Sequence, residues 1–95
     1  MFDKELIIWK SELEIRKDQN LTKMKEIKLQ LASLDIRRIM LLESKDKLKS
    51  NLFKEIEEMI THLEIELKEL QHENDDINNI IYSINVETGN IIMCD

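Results

Sequence analysis

Proline is missing from the 95 residues, glycine and cysteine occur once each, and aromatic residues make up 4%. Each scarcity excludes something. A single cysteine cannot close an internal disulfide, so a disulfide-stapled secreted scaffold is ruled out. One cysteine and two histidines cannot complete a four-ligand structural zinc site without a partner chain. Sheet proteins reverse direction often and need glycine, proline or Asn-Gly pairs to do so. Long apolar runs are also lacking: Leu6–Trp9 and Ile39–Leu42 are far short of a membrane span. The first ten residues place acids before their apolar run and offer no small-residue cleavage site, unlike a secretory signal. These features predict an all-α, soluble, intracellular chain without a membrane span.

What is abundant is charge, at 36% of residues, with a net of −6. The acidic balance argues against nucleic acid as a direct partner, because phosphate binding needs clustered Lys and Arg. The charge is split along the chain. Residues 1–50 carry twelve Lys and Arg against nine acids, whereas residues 51–95 carry two lysines against eleven acids. Such a split favours one half lying antiparallel to the other, within one chain or between chains.

Apolar residues recur with helical spacing. In the first half one series with a seven-residue step reads Leu6, Leu13, Asn20, Ile27, Leu34, Leu41, Leu48. The interleaved series, Lys10, Lys17, Met24, Leu31, Arg38, Lys45, Leu52, is poorer. In the second half the heptad restarts in a new phase, with Ile56, Leu63, Leu70, Ile77, Ile84 on one row and Ile60, Leu67, Asn74, Ile81 on the other. These two rows are the cleanest coiled-coil signature in the chain.

The phase change falls at Leu48–Leu52–Ile56. A stutter would let a single helix run straight through it. A turn would fold the chain into a hairpin. The stretch Glu43–Asn51 is polar apart from Leu48, and Ser44, Ser50 and Asn51 are competent N-caps. Charge favours the hairpin; the lack of breakers favours the rod. The hairpin, or a small antiparallel bundle, is the reading placed ahead. The polar cluster Asp18–Thr22 marks a second possible break, which would leave Asp3–Lys17 as a separate short helix. Residues 27–42 are apolar on more than one face, which predicts contact with at least two neighbouring helices. Thr88-Gly89 ends the last repeat, with Gly89 suited to a helix C-cap. The coiled-coil unit is thus expected over 1–88. Residues 89–95 are expected to form a short extended apolar tail around Ile91 and Ile92 that docks on this protein's own helices or on a partner.

Few constellations suggest chemistry. Glu69 and His72 have the spacing of half a di-iron Glu-x-x-His element, but His62 lacks the matching Glu. Solvated histidines are the preferred reading. Cys94 has no neighbour that would lower its pKa and reads as incidental or packed. A Gly-rich phosphate loop cannot be made with one glycine. No cofactor, metal or catalytic residue is therefore expected. Asn20 and Asn74 stand where the heptad calls for an apolar residue. A buried asparagine there selects register and partner. For Asn74 this register role competes evenly with local solvation, whereas Asn20, in its polar cluster, reads more as a helix end. Trp9 with Phe2 and Ile8 reads as local core packing ahead of an interface anchor. Phe53 reads as packing the hairpin end.

The run from Glu73 to Gly89 resembles the end of fungal CENP-H-type inner-kinetochore subunits. There a coiled coil leads into Glu-Asn, a spaced Ile/Leu pattern, and a Ser/Thr-Gly turn before a short tail. Glu73, Asn74, Ile77 and Gly89 carry the match, supported by Ile80, Ile81, Ile84, Val86 and Thr88. The resemblance implies a non-catalytic nuclear subunit in chromosome segregation. It would pair with a CENP-K-like helical subunit and dock its C-terminal helix and tail on a helical-repeat partner.

The residues themselves point to a structural protein–protein interaction module that works through helix association, with itself or with a helical partner. The expected contact residues are Ile27, Leu31, Leu34, Leu41, Ile56, Ile60, Leu63, Leu67, Leu70, Ile77, Ile81, Ile84, Ile91 and Ile92, with Asn74 setting register. A vesicle-tethering or cytoskeletal scaffold is a second reading, and a carboxylate-bundle metal protein a third.

Overall fold

The computed structural model describes residues 2–43 and 49–89, which form two helices, α1 (Phe2–Glu43) and α2 (Lys49–Thr88). They lie antiparallel as an elongated helical hairpin, and no strand occurs among the described residues. At a rise of 1.5 Å per residue each helix is roughly 60 Å long. The continuous-rod reading is thereby corrected. The charge split, which drives the basic half toward the acidic one, outweighs the lack of helix breakers. The reversal itself lies at 44–48, outside the described residues.

α1 continues without interruption through Asp18–Thr22, so the second possible break does not occur. The local competition from polar side chains is absorbed inside the helix: the Thr22 hydroxyl donates to the Asp18 carbonyl at 3.2 Å, one turn back. Packing on α2 holds the rest.

The inward-facing positions follow the heptad rows closely. In α1 the buried or half-buried residues are Leu6, Lys10, Leu13, Lys17, Asn20, Met24, Ile27, Leu31, Leu34, Arg38 and Leu41, together with Asp35 on the flank. The alternation of steps of three and four is the coiled-coil seam. Lysine and arginine belong in this seam because their aliphatic stems cover apolar neighbours while the charged ends reach water. In α2 the row Ile56, Leu63, Leu70, Ile77, Ile84 and the row Ile60, Leu67, Asn74, Ile81 all turn inward.

The core is thin. Among the described residues only Met24, Ile27, Leu34, Ile77 and Ile84 are buried apolar side chains, and none is fully enclosed. Two helices can cover one stripe on each other and nothing more, so the flanks of the seam stay open.

α2 ends at Thr88 and is closed by Gly89, whose φ of 71° is the left-handed conformation that terminates a helix, with its N–H donating to the Val86 carbonyl at 3.3 Å. The C-cap expected from the sequence is present. The space around Gly89 is open, so a Gly89→Ala substitution meets only the backbone penalty. It should lower stability by about 1 kcal/mol, read as a shifted urea midpoint with an unchanged slope. The expected tail, including Ile91, Ile92 and Cys94, lies outside the described residues.

Candidate docking surfaces

The register of the hairpin is marked by one polar contact. Asn20, on α1, and Asn74, on α2, are 9% and 4% exposed. The Asn20 side-chain amide donates to the Asn74 side-chain carbonyl at 2.9 Å, and the Asn74 amide donates to the Lys17 backbone carbonyl at 3.3 Å. The two asparagines that interrupt separate heptad rows are therefore partners. Asn20 is not a helix end, which corrects the expectation for that residue: its neighbours are rich in capping residues, but the partner that satisfies it is 54 residues away. Counting heptads outward from this pair in opposite directions brings Ile27 opposite Leu67, Leu34 opposite Ile60 and Leu13 opposite Ile81.

Among the described residues three ion pairs cross the seam, each with its cation on α1 and its carboxylate on α2: Arg16 with Glu73, Lys23 with Glu66 at 3.7 Å, and Arg38 with Glu57 at 3.8 Å. Arg38 also pairs with Asp35 on its own helix. The uneven charge distribution of the sequence is thus used within the chain. These pairs are partly exposed, so each contributes only about 0.2–1 kcal/mol and mainly disfavours other pairings. The Glu73 Oε1 atom facing Arg16 is itself shielded from solvent and has no aligned hydrogen bond.

The predicted contact residues divide by how much the hairpin covers. Ile27, Leu34, Ile77 and Ile84 are buried in the seam. Leu31, Leu41, Ile56, Ile60, Leu63, Leu67, Leu70 and Ile81 are half-buried and keep one flank open. The fold uses all of them within the chain.

Residues 27–42 meet one helix, not two. Their inner side contacts α2, while Leu29 (73% exposed), Ile36 (64%) and Met40 (64%) face outward with Ile39 and Leu42. The stripe extends beyond that segment. Ile8, Ile15, Leu29 and Ile36 repeat with a seven-residue step, broken once by Thr22, and all four aliphatic side chains are exposed. Each lies two residues beyond a seam residue, about 200° around the helix, hence on the side away from α2. Sequence reading missed its N-terminal half. The available signal was the second seven-residue series, which runs parallel to Leu6, Leu13, Ile27 and Leu34. Trp9 and Ile8 are likewise exposed, not packed locally. The Phe2 side chain, expected to pack with them, lies outside the described side chains.

An open groove of about 860 Å³ runs beside the seam between Gln30, Ser33 and Arg37 of α1 and Glu55, Met59 and His62 of α2. It is a shallow trough between helices, and no hydrogen bond joins Ser33 to His62 among the described residues. His72 lies 3.7 Å from Asp76 on the same exposed helix face. Among the described residues no three His, Cys, Asp or Glu side chains converge as a metal ion requires. No described helix is long and apolar enough to cross a membrane. Phe53 is half-buried near the start of α2. No protein-family model, curated protein or solved structure matches the chain.

Proposed function

We propose that this chain is a non-catalytic helical-hairpin module that assembles with other proteins through the outer face of α1. The observation that supports this reading most strongly is the exposed heptad stripe Ile8, Ile15, Leu29, Ile36. An aliphatic side chain left in water forgoes about 1.5–3 kcal/mol relative to its burial. Scattered exposed leucines need no explanation, but four on one periodic stripe of a long helix match the way a helix presents itself to another helix. The seam of the hairpin holds the chain in shape, and the outer stripe is what remains for a partner.

The process served is proposed from the resemblance at Glu73–Gly89 alone: a subunit of a chromosome-segregation complex, at the kinetochore in the nucleus. Ile77, Ile81 and Ile84 of that run turn toward α1, so a partner approaching α2 would meet Ile80, Tyr82 and Val86 first. A tethering or cytoskeletal scaffold would use the same outer stripe.

The test is a comparison in cells between the full chain and a Leu29→Glu/Ile36→Glu variant. Both replaced residues are exposed, so the hairpin should keep its helicity. Proteins recovered with the native chain in stoichiometric amounts should be lost with the variant. Equal recovery with both would remove the outer face as the working surface. For the chromosome-segregation role, the tagged chain should form discrete centromeric foci in dividing cells, and a uniform distribution would discard it.

A further inference from the structure

We infer that the outer face of α1 binds a second copy of this chain, antiparallel and about a two-fold axis, to give a four-helix layer ordered α2–α1–α1–α2. This rests on the reading of that face as a docking surface and names its occupant.

Two rows make up the face. One is Ile8, Ile15, Thr22, Leu29, Ile36. The other, three residues further on, is Ser11, Asp18, Lys25, Ala32, Ile39. Rows spaced three and four apart form a second coiled-coil seam on the same helix. It is apolar at Ile8, Ile15, Leu29, Ile36 and Ile39, polar at Ser11 and Thr22, and charged at its centre, with Asp18 and Lys25 exposed and in no ion pair among the described residues. A parallel pairing would set Asp18 against Asp18 and Lys25 against Lys25. An antiparallel pairing sets Ile8 opposite Ile39 of the second copy, Ile15 opposite its Ala32, Ile36 opposite its Ser11 and Leu29 opposite its Asp18. It also brings Asp18 within one layer of the second copy's Lys25, twice by symmetry. The contact is isologous, so it closes at two copies.

The distribution of net charge selects the same arrangement. α2 carries ten acids against three lysines, so two copies cannot comfortably bring their α2 helices together. Contact through α1 puts the two acidic helices on opposite outer sides. At interaxial distances of 8–10 Å they stand roughly 25–30 Å apart, beyond the Debye length of about 8 Å at physiological salt.

Analytical ultracentrifugation of the purified full chain tests this. The native chain should sediment at twice the 11.4 kDa chain mass at micromolar concentration. Leu29→Glu should weaken the dimer by roughly 100-fold or more, because symmetry removes two interfacial leucines at once and sets each new carboxylate opposite Asp18 of the other copy. Its circular dichroism should stay native, since Leu29 makes no part of the hairpin seam. Asp18→Lys alone and Lys25→Asp alone should each weaken the dimer, and the double exchange should restore it. A native chain that stays monomeric, a dimer that survives Leu29→Glu, or a double exchange that fails to restore association would each overturn the inference. If the purified chain is monomeric while the Leu29→Glu/Ile36→Glu variant still loses proteins in cells, the second copy is excluded and the docking reading stands. If neither experiment distinguishes variant from native, both fall.

Discussion

Ile27→Asp should unfold the hairpin. Ile27 is 3% exposed at the centre of α1, and the register set by Asn20 and Asn74 places it opposite Leu67. Truncating a buried isoleucine to alanine costs about 2–5 kcal/mol. Aspartate adds the cost of burying a carboxylate in an apolar layer. Net stabilities of small domains run to about 5–15 kcal/mol, and a core of five buried apolar side chains belongs at the low end. Long helices in proteins draw most of their stability from tertiary packing, so separating α1 from α2 should also reduce helicity. The expected record is loss of the cooperative urea transition together with a large fall in the helical circular dichroism signal. The control is Ile36→Asp at the exposed outer stripe, which should leave the hairpin transition in place. If both substitutions had the same effect, α1 would be held by its outer face and the seam described above would be incorrect.

The second large effect concerns the asparagine pair. Asn74→Ala should destabilise the hairpin by about 2 kcal/mol, because it leaves the Asn20 amide buried without its partner. Asn20→Ala should do the same, and the double alanine variant should cost less than the sum of the two, since neither amide is then orphaned. Replacing both by leucine should behave differently. It removes two buried polar groups and extends both apolar rows, so stability should rise. What should be lost is uniqueness of register, because a continuous apolar seam can slide by one heptad at little cost. A slide of seven residues moves facing positions by about 10 Å. Spin labels on the exposed Gln19 and Asp75 should therefore give one narrow distance in the native chain and a second, displaced population in the double leucine variant. A single narrow distance in both would show that the turn and the crossing ion pairs set the register without the asparagines.

Together these variants separate two roles that lie on opposite sides of α1. The seam, marked by Ile27 and Asn20, keeps the chain folded on itself. The outer stripe, marked by Leu29 and Ile36, contributes nothing to that and is free for another helix. Charge reinforces the division: the cations of α1 at Arg16, Lys23 and Arg38 are committed to α2, whereas Lys25 and Asp18 on the outer side pair with nothing among the described residues.

Much of this was legible in the amino-acid order. The helices follow from the absence of proline and from rows of Ile and Leu at steps of three and four. The inward rows of α2 are those that the heptad predicts, and the basic-to-acidic gradient anticipates the three crossing ion pairs. Gly89 announces the end of α2 because only glycine adopts its positive φ without strain. Asn20 was harder to read. Its local surroundings, Asp18, Gln19 and Thr22, are those of a helix end, and a local pattern carries no information about a partner 54 residues away. The outer stripe was hidden for a related reason. A helix with two apolar rows can bury either, and periodicity cannot say which one meets water.

The residue order alone therefore determined the helical class, the rows that can form seams and the antiparallel preference, because these depend on spacing and net charge along the chain. Only the tertiary structure decided that α1 runs unbroken, that Asn20 and Asn74 satisfy each other, and that Ile8, Ile15, Leu29 and Ile36 are left outside. Those outcomes depend on which surfaces meet in space. A single partner helix can cover one stripe of α1, and the stripe it covers is the one whose opposing rows, polar pair and charges all match in a single register.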